Sequence, residues 1–333
     1  MKSFLKYFLS TLLAIALFYW AFKNSGVQWE TILTYITHAQ YSWVFLSILI
    51  TLLAHLLRAL RWNQLLETLH YQPRTSTSFM AVMIGYLANF ALPRLGEVSR
   101  CLSLKQTENI PFEKSFGTVI TERIADLIAM LFVLALTLIL SFKDIQTLLF
   151  PNFNLEENKN ILFIGLFISL ILLIFIYLIV KKKLNTLEKL KQIPFIGKFI
   201  HGISEGLFSI LKLKKTGKFV LLSTLIWICY YFGTFFLFKA FETINSFDGI
   251  VVLTCFTMGT VGMLIPTQGG IGSYHGLVAS CLSFYGIAQA DSFALATFFH
   301  GTQMVTVLLV GSISLIFTLF IKSPDVNNIQ KNS

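Results

Sequence analysis

Apolar residues along this chain gather in long unbroken runs and do not alternate with polar ones. Runs near 4–22, 41–60, 115–140, 161–180, 219–238 and 292–320 approach or reach the ~20 residues that a helix needs to cross a bilayer. Two further apolar segments, near 78–105 and 250–288, are interrupted. The first runs from Phe79 to Leu92, too short to cross, and continues as Pro93-Arg-Leu-Gly-Glu-Val-Ser-Arg100. A proline removes one helical hydrogen bond and clashes with the preceding turn, so a helix arriving here must break. At membrane depth, freed backbone groups and charges are tolerated only inside protein or beside a water-filled cavity. Taken alone, this stretch reads either as a cytosolic loop or as a re-entrant hairpin carrying a polar site. A second break, Pro266-Thr-Gln-Gly-Gly-Ile-Gly-Ser-Tyr-His-Gly276, decides for the hairpin.

Composition strengthens this pattern. The chain is 55% hydrophobic and 13% charged, against about 25% charged in soluble proteins. We therefore expect an all-α integral membrane protein with about six full spans and two broken hairpins. The basic, apolar opening from Met1 to Trp20 lacks a small-x-small cleavage site and reads as a retained first helix. The four cysteines are scattered among apolar segments and read as packing residues.

Charge then orients the chain. The formal net charge of +10 points to loops facing anionic lipid, and nucleic acid is not expected as a partner. Segment 181–218 holds ten lysines against two glutamates, the bias of a cytoplasmic segment. Within it Ile196, Ile200, Ile203, Leu207 and Leu211 recur at helical spacing. They predict either an amphipathic helix on the inner membrane surface or a plain cytosolic linker helix. On the same side fall Lys2, Arg58, Arg61, Arg74, Arg94, Arg100, Lys114 and the tail 323–333, so both termini are expected in the cytoplasm. The remaining loops, 23–40, 143–160, 239–249 and 289–291, hold four lysines and seven acids. The asymmetry works only if each broken segment returns to the side it entered. One membrane domain, 1–322, then divides into halves of opposite orientation, about 1–142 and 161–320. This is the inverted-repeat plan of many transporters, with binding where broken helices meet.

The chemistry concentrates at the breaks. Glycines 269, 270, 272 and 276 let backbone approach a ligand, and a new half-helix is predicted to start near Ser273 with its positive end at the break. A simple helix-packing turn is the other reading. Arg94 and Arg100 bracket Glu97 at spacings of three, and one acid cannot neutralise two guanidinium groups. In Thr121-Glu-Arg-Ile-Ala-Asp126, Arg123 is expected to pair with Asp126, leaving Glu122 over. These charges either sit at the interface or are buried beside the first hairpin, completing its site; we expect the second. His300 and Gln303, in the corresponding last span, either hold helices together or bind a head group or relay a proton. No Walker sequence, HExxH or Cys/His metal spacing is present, so neither a cofactor nor enzyme chemistry is expected.

In combination, Pro93-Arg-Leu-Gly-Glu-Val-Ser-Arg100, Thr121-Glu-Arg123 with Asp126, Pro266-Thr-Gln-Gly-Gly-Ile-Gly272 and His300-Gly-Thr-Gln303 resemble the lysylphosphatidylglycerol synthetase transmembrane family. That is the flippase-like membrane part of the multiple peptide resistance factor. The resemblance implies a bacterial or archaeal plasma-membrane protein that moves a lipid or lipid-linked head group between leaflets. It carries site roles to Arg94, Glu97, Arg100, Glu122, Arg123, Asp126, Gly269, Gly270 and Gly272. This chain lacks the small residue many members have between the proline and the arginine, and has Gln268 where many have a second proline. It ends at Ser333 without the soluble aminoacyl-transfer domain, so it is not expected to synthesise lysylphosphatidylglycerol by itself. The competing functions are a membrane-embedded enzyme on lipid phosphates and an accessory scaffold in envelope assembly. Anionic membrane lipids are the expected partners, with self-association open.

Overall fold

The computed structural model describes residues 19, 22–23, 25–92, 94–142, 194–265 and 267–321. The expected spans near 4–22 (apart from Tyr19, Phe22 and its neighbours) and 161–180, the loop 143–160, the prolines 93 and 266 and the tail lie outside the described residues. Every regular element among the described residues is helical. In chain order they are α1 (Trp29–His38), α2 (Tyr41–Glu67), α3 (Thr75–Ala91), α4 (Leu95–Glu108), α5 (Phe112–Leu140), α6 (Pro194–Leu207), α7 (Thr216–Lys239), α8 (Gly249–Leu264), α9 (Ser273–Phe284) and α10 (Gln289–Phe320).

Four of these, α2, α5, α7 and α10, are long and apolar enough to cross a membrane. Their outer faces carry large apolar side chains in the open: Phe132 is 69% exposed, Leu319 67% and Phe320 79%. Water does not tolerate so much apolar surface, and lipid tails do. Arms of 17, 14, 16 and 12 residues form the two hairpins. At 1.5 Å of rise per residue none of them reaches the ~30 Å of a hydrocarbon core.

Each hairpin is closed by small residues. In the first, Gly85 faces Gly96 and Arg100, so a Cβ on Gly96 would strike the Gly85 carbonyl and the Asn89 side chain. In the second, Gly259 and Gly262 face Tyr274, and the buried Cys255 and Cys281 thiols lie 3.0 Å apart across the arms. The caps are local. Asp248 accepts from the backbone of Ile250 and Val251 to start α8, and Asn109, in the left-handed region, ends α4.

The element order, long helix, hairpin, long helix, occurs twice. The two leading long helices, α2 and α7, run antiparallel: the Gln40 amide donates to the Ala240 carbonyl (2.9 Å), Ser47 Oγ to the Gly233 carbonyl (2.7 Å), and Arg61 to Ser223 Oγ (3.1 Å). The closing helices cross over to the opposite hairpin. Gly311 of α10 sits against Met83 and Leu87 of α3, while Thr137 of α5 hydrogen-bonds Thr257 of α8 (2.7 Å). Each hairpin has its own core. Trp62, Leu66, Ala81, Val82, Cys101 and Leu104 surround the first. A larger one around the second includes Phe238, Phe241, Tyr274, Phe293 and Phe299.

Two expectations are corrected. The loop 23–40 contains α1, whose Ile32 is buried in the second core; a ten-residue helix with one buried stripe is invisible to a search for long apolar runs. The last long helix begins at Gln289, so 289–291 is its first turn. Within the amphipathic segment, α6 docks on α5, with Gly202 over Glu113 and Gly206 against Gly117 and the Lys114 carbonyl. Thr121 Oγ1 donates to the Leu207 carbonyl (2.9 Å), and Lys114 pairs with Glu205 (3.2 Å). Close approach of glycine backbones, which longer side chains would prevent, is what selects this contact.

Candidate functional site

Helical periodicity sorts the charges at the first hairpin. On α5, Glu122 and Asp126 are four apart and share a face, whereas Arg123 is turned away from Glu122 by one residue. On α2, Arg58 and Arg61 are three apart and meet that face together. Asp126 accepts from Arg58 (2.6 Å) and Arg61 (2.7 Å). Glu122 lies between Arg61 (3.4 Å) and Arg100 of α4. Arg123 instead reaches across to Glu97 (2.6 Å).

The pairings differ from those read along the chain. Arg123 does not pair with Asp126, because two arginines from α2 already occupy that carboxylate. Glu97 does not pair with Arg94 or Arg100. Glu122, expected to be left over, is the most enclosed acid of the group at 0% exposure, beside Arg61, also 0%. Burial of this order requires pairing, since an isolated charge in a low dielectric is very costly. Arg58 and Arg61, read above as cytosolic markers, are members of the site. Their spacing of three inside an apolar helix was the available signal, and only a carboxylate on a distant helix gives it meaning.

Aromatic groups complete the cluster. The Arg100 guanidinium lies over the Trp62 ring, 4.3 Å from its centroid, and Trp62 Nε1 donates to Thr118 Oγ1 (2.8 Å). Arg58 also reaches the Tyr230 hydroxyl (3.4 Å), which meets that of Tyr86 (3.4 Å). A cleft opens here, lined by Arg58, Tyr86, Asn89, Arg100 and Arg123 with the bare backbone of Gly85 and Gly96. The start of α4 contributes its positive end. Arg94 stands apart. It precedes α4 in the left-handed region (φ 67°), is exposed, and has no ionic partner among the described residues.

At the second break, Gly269, Gly270 and Gly272 have φ of 58°, 79° and 84°, a region that side chains rarely enter. The half-helix α9 begins at Ser273. Its hydroxyl donates to the Gly262 carbonyl (2.8 Å) and so staples the two arms. His300 Nε2 lies 2.8 Å from the Gly269 carbonyl, and its ring stacks on Tyr274 (4.9 Å) beside His275 (4.9 Å). Gln303 lies close to the Tyr274 hydroxyl. The candidate residues therefore fall into two groups, one charged and one neutral. The breaks themselves abut, since a Cβ on Gly269 would strike the ring of Phe90.

Long apolar helices, two short-armed hairpins and ion pairs sealed inside the helix bundle define a multi-pass, all-α membrane protein. The chain belongs to the family described as lysylphosphatidylglycerol synthase TM region, which matches residues 7–311. Among its relatives is a UPF0104 membrane protein of Methanothermobacter thermautotrophicus, 25% identical over 92% of both chains. Two UPF0104 membrane proteins of Methanocaldococcus jannaschii are 26% and 29% identical, over 51% and 66% of this chain. The matches span 48% of the first of these two and 88% of the second. No solved structure matches.

Proposed function

We propose that the protein is a flippase-like transporter that moves a lipid, or an anionic lipid-linked head group, between the leaflets of a prokaryotic plasma membrane. The observation that carries this reading is the arginine-rich cleft at the first break, held among three neighbouring helices. Guanidinium groups at membrane depth are functional by default, and their forked geometry suits phosphate. The repeated long helix–hairpin–long helix order supports an inverted-repeat transporter, in which both hairpins are re-entrant and the site is exposed to each side in turn. The family's name supports a lipid as the cargo. In this reading both termini and the basic segment 181–218 face the cytoplasm.

The test is leaflet exchange in proteoliposomes containing defined anionic phospholipids and polyprenyl phosphates. Redistribution of a lipid above protein-free vesicles, with lipid mass unchanged, is expected. Absence of redistribution overturns the proposal, and a covalently altered lipid would replace it with the membrane-enzyme reading. In the same samples, a cysteine introduced at position 245 should react with an impermeant reagent from the side opposite to one at 190; labelling from the same side would overturn the orientation.

A further inference from the structure

The charge count of the first site limits what it can hold. Four arginines, 58, 61, 100 and 123, contribute to its ion pairs. Three carboxylates, Glu97, Glu122 and Asp126, answer them. Among the described residues, four minus three leaves a surplus of one positive charge in a network whose central members have almost no exposed surface. The exposed Arg94 lies outside the cleft and does not add to the count.

Arg58 and Arg100, each 6% exposed, both line the cleft. Each commits a terminal nitrogen to a carboxylate, and the Nε–H of each is buried without a hydrogen-bond partner among the described residues. Asn89 Oδ1 accepts from the Gly96 amide (2.8 Å), and Asn89 also lines the cleft. Buried donors left empty are costly, and an oxyanion entering the cleft would supply acceptors to the guanidinium groups that line it.

We propose that this cleft seats a singly charged phosphodiester, clamped between Arg58 and Arg100. One negative charge brings the buried network to neutrality. A phosphomonoester dianion, or a diphosphate, would leave excess negative charge among Glu97, Glu122 and Asp126, which the low-dielectric surroundings penalise. The inference rests on the head-group reading of the first break and adds a selection rule to it. Arg58, which belongs to α2 and not to the hairpin, becomes a ligand-binding residue.

The experiment is a binding titration on the purified full chain in neutral detergent at pH 8.5. The probes are dihexanoyl phosphatidylglycerol (a diester, charge −1) and dihexanoyl phosphatidic acid, a monoester largely dianionic above its second pKa of about 6. The diester should bind about tenfold more tightly or better, a difference of one charge-assisted contact. Dimethyl phosphate at high concentration should displace it, since recognition lies in the phosphate and not in the acyl chains. Glu97→Gln raises the surplus to two, and it should swing the preference toward the monoester; a structural role for Glu97 would weaken both probes alike. Arg58→Lys should cost the diester at least tenfold while the protein stays folded by thermal unfolding. Equal affinity for both probes, an unchanged preference in Glu97→Gln, or failure of dimethyl phosphate to compete would overturn the rule. Leaflet exchange read in parallel separates the two proposals: movement without charge preference sinks only this inference, and preference without movement sinks only transport.

Discussion

The hairpin of α3 and α4 breaks among arginines and a glutamate, whereas the hairpin of α8 and α9 breaks among glycines. The first is held from outside: Arg100 and Glu97 reach α5, and through Glu122 the network runs on to Arg61 of α2. The second is held largely from inside, by the Ser273 staple, by Tyr274 against Gly259 and Gly262, and by His300 on the Gly269 carbonyl. Two halves of similar element order have thus met one requirement, a helix broken within the bundle, by different chemistry. Ion pairs give the first break a charge surplus and a cleft, and left-handed glycines give the second a tight turn that admits the Phe90 ring of its counterpart. The difference leaves paired charges and a cleft at one hairpin and close packing between hairpins at the other.

The largest way to break this comparison is Glu122→Ala. It leaves Arg61 and Arg100 facing each other without their shared carboxylate, and removal of one partner from a buried pair costs about 3–5 kcal/mol. Thermal unfolding should fall steeply, and hydrogen exchange should rise in 75–108 before it rises in 249–284. Equal loss of protection in both hairpins would show that they are not held independently.

A smaller effect is expected from Gly269→Ala, which forces a side chain into φ 58° and against Phe90. The backbone term alone is about 1–2 kcal/mol. Lipid movement should slow while phosphate binding at the first cleft is kept, which would sharpen the division of labour. Parallel loss of binding would show that the two breaks form one site.

The smallest change in stability is expected from Arg94→Gly. Relief of the left-handed strain at φ 67° is offset in part by the flexibility of glycine, for a net gain between zero and about 1 kcal/mol. Lipid movement should nevertheless fall, because an exposed arginine at the mouth of the break, without an ionic partner among the described residues, is placed to recruit anions. Unchanged transport would restrict the functional charge to the buried cleft.

Much of the architecture was legible from local pattern. Long apolar runs marked α2, α5, α7 and α10, and the proline–glycine stretches marked both breaks, with Ser273 at the start of its half-helix. These follow from the sequence because span length and helix breaking depend on neighbours only a few residues away. Hydropathy windows passed over α1 for the same reason, since its ten residues bury a single stripe. The docking of α6 on α5 depends on glycines 117 and 206 meeting, which nothing in either segment announces.

For the site, the chain itself determined that charged residues interrupt apolar helices and that arginines outnumber acids near the first break. Only the tertiary structure decided which charge meets which. Arg123 turns to Glu97, Asp126 to Arg58 and Arg61, and Glu122 to Arg61 and Arg100, across sequence separations of 22 to 68 residues. Pairing of this kind is set by the register in which α2, α4 and α5 pack, and in a low dielectric the register that leaves the fewest charges unpaired wins over the nearest neighbour along the helix.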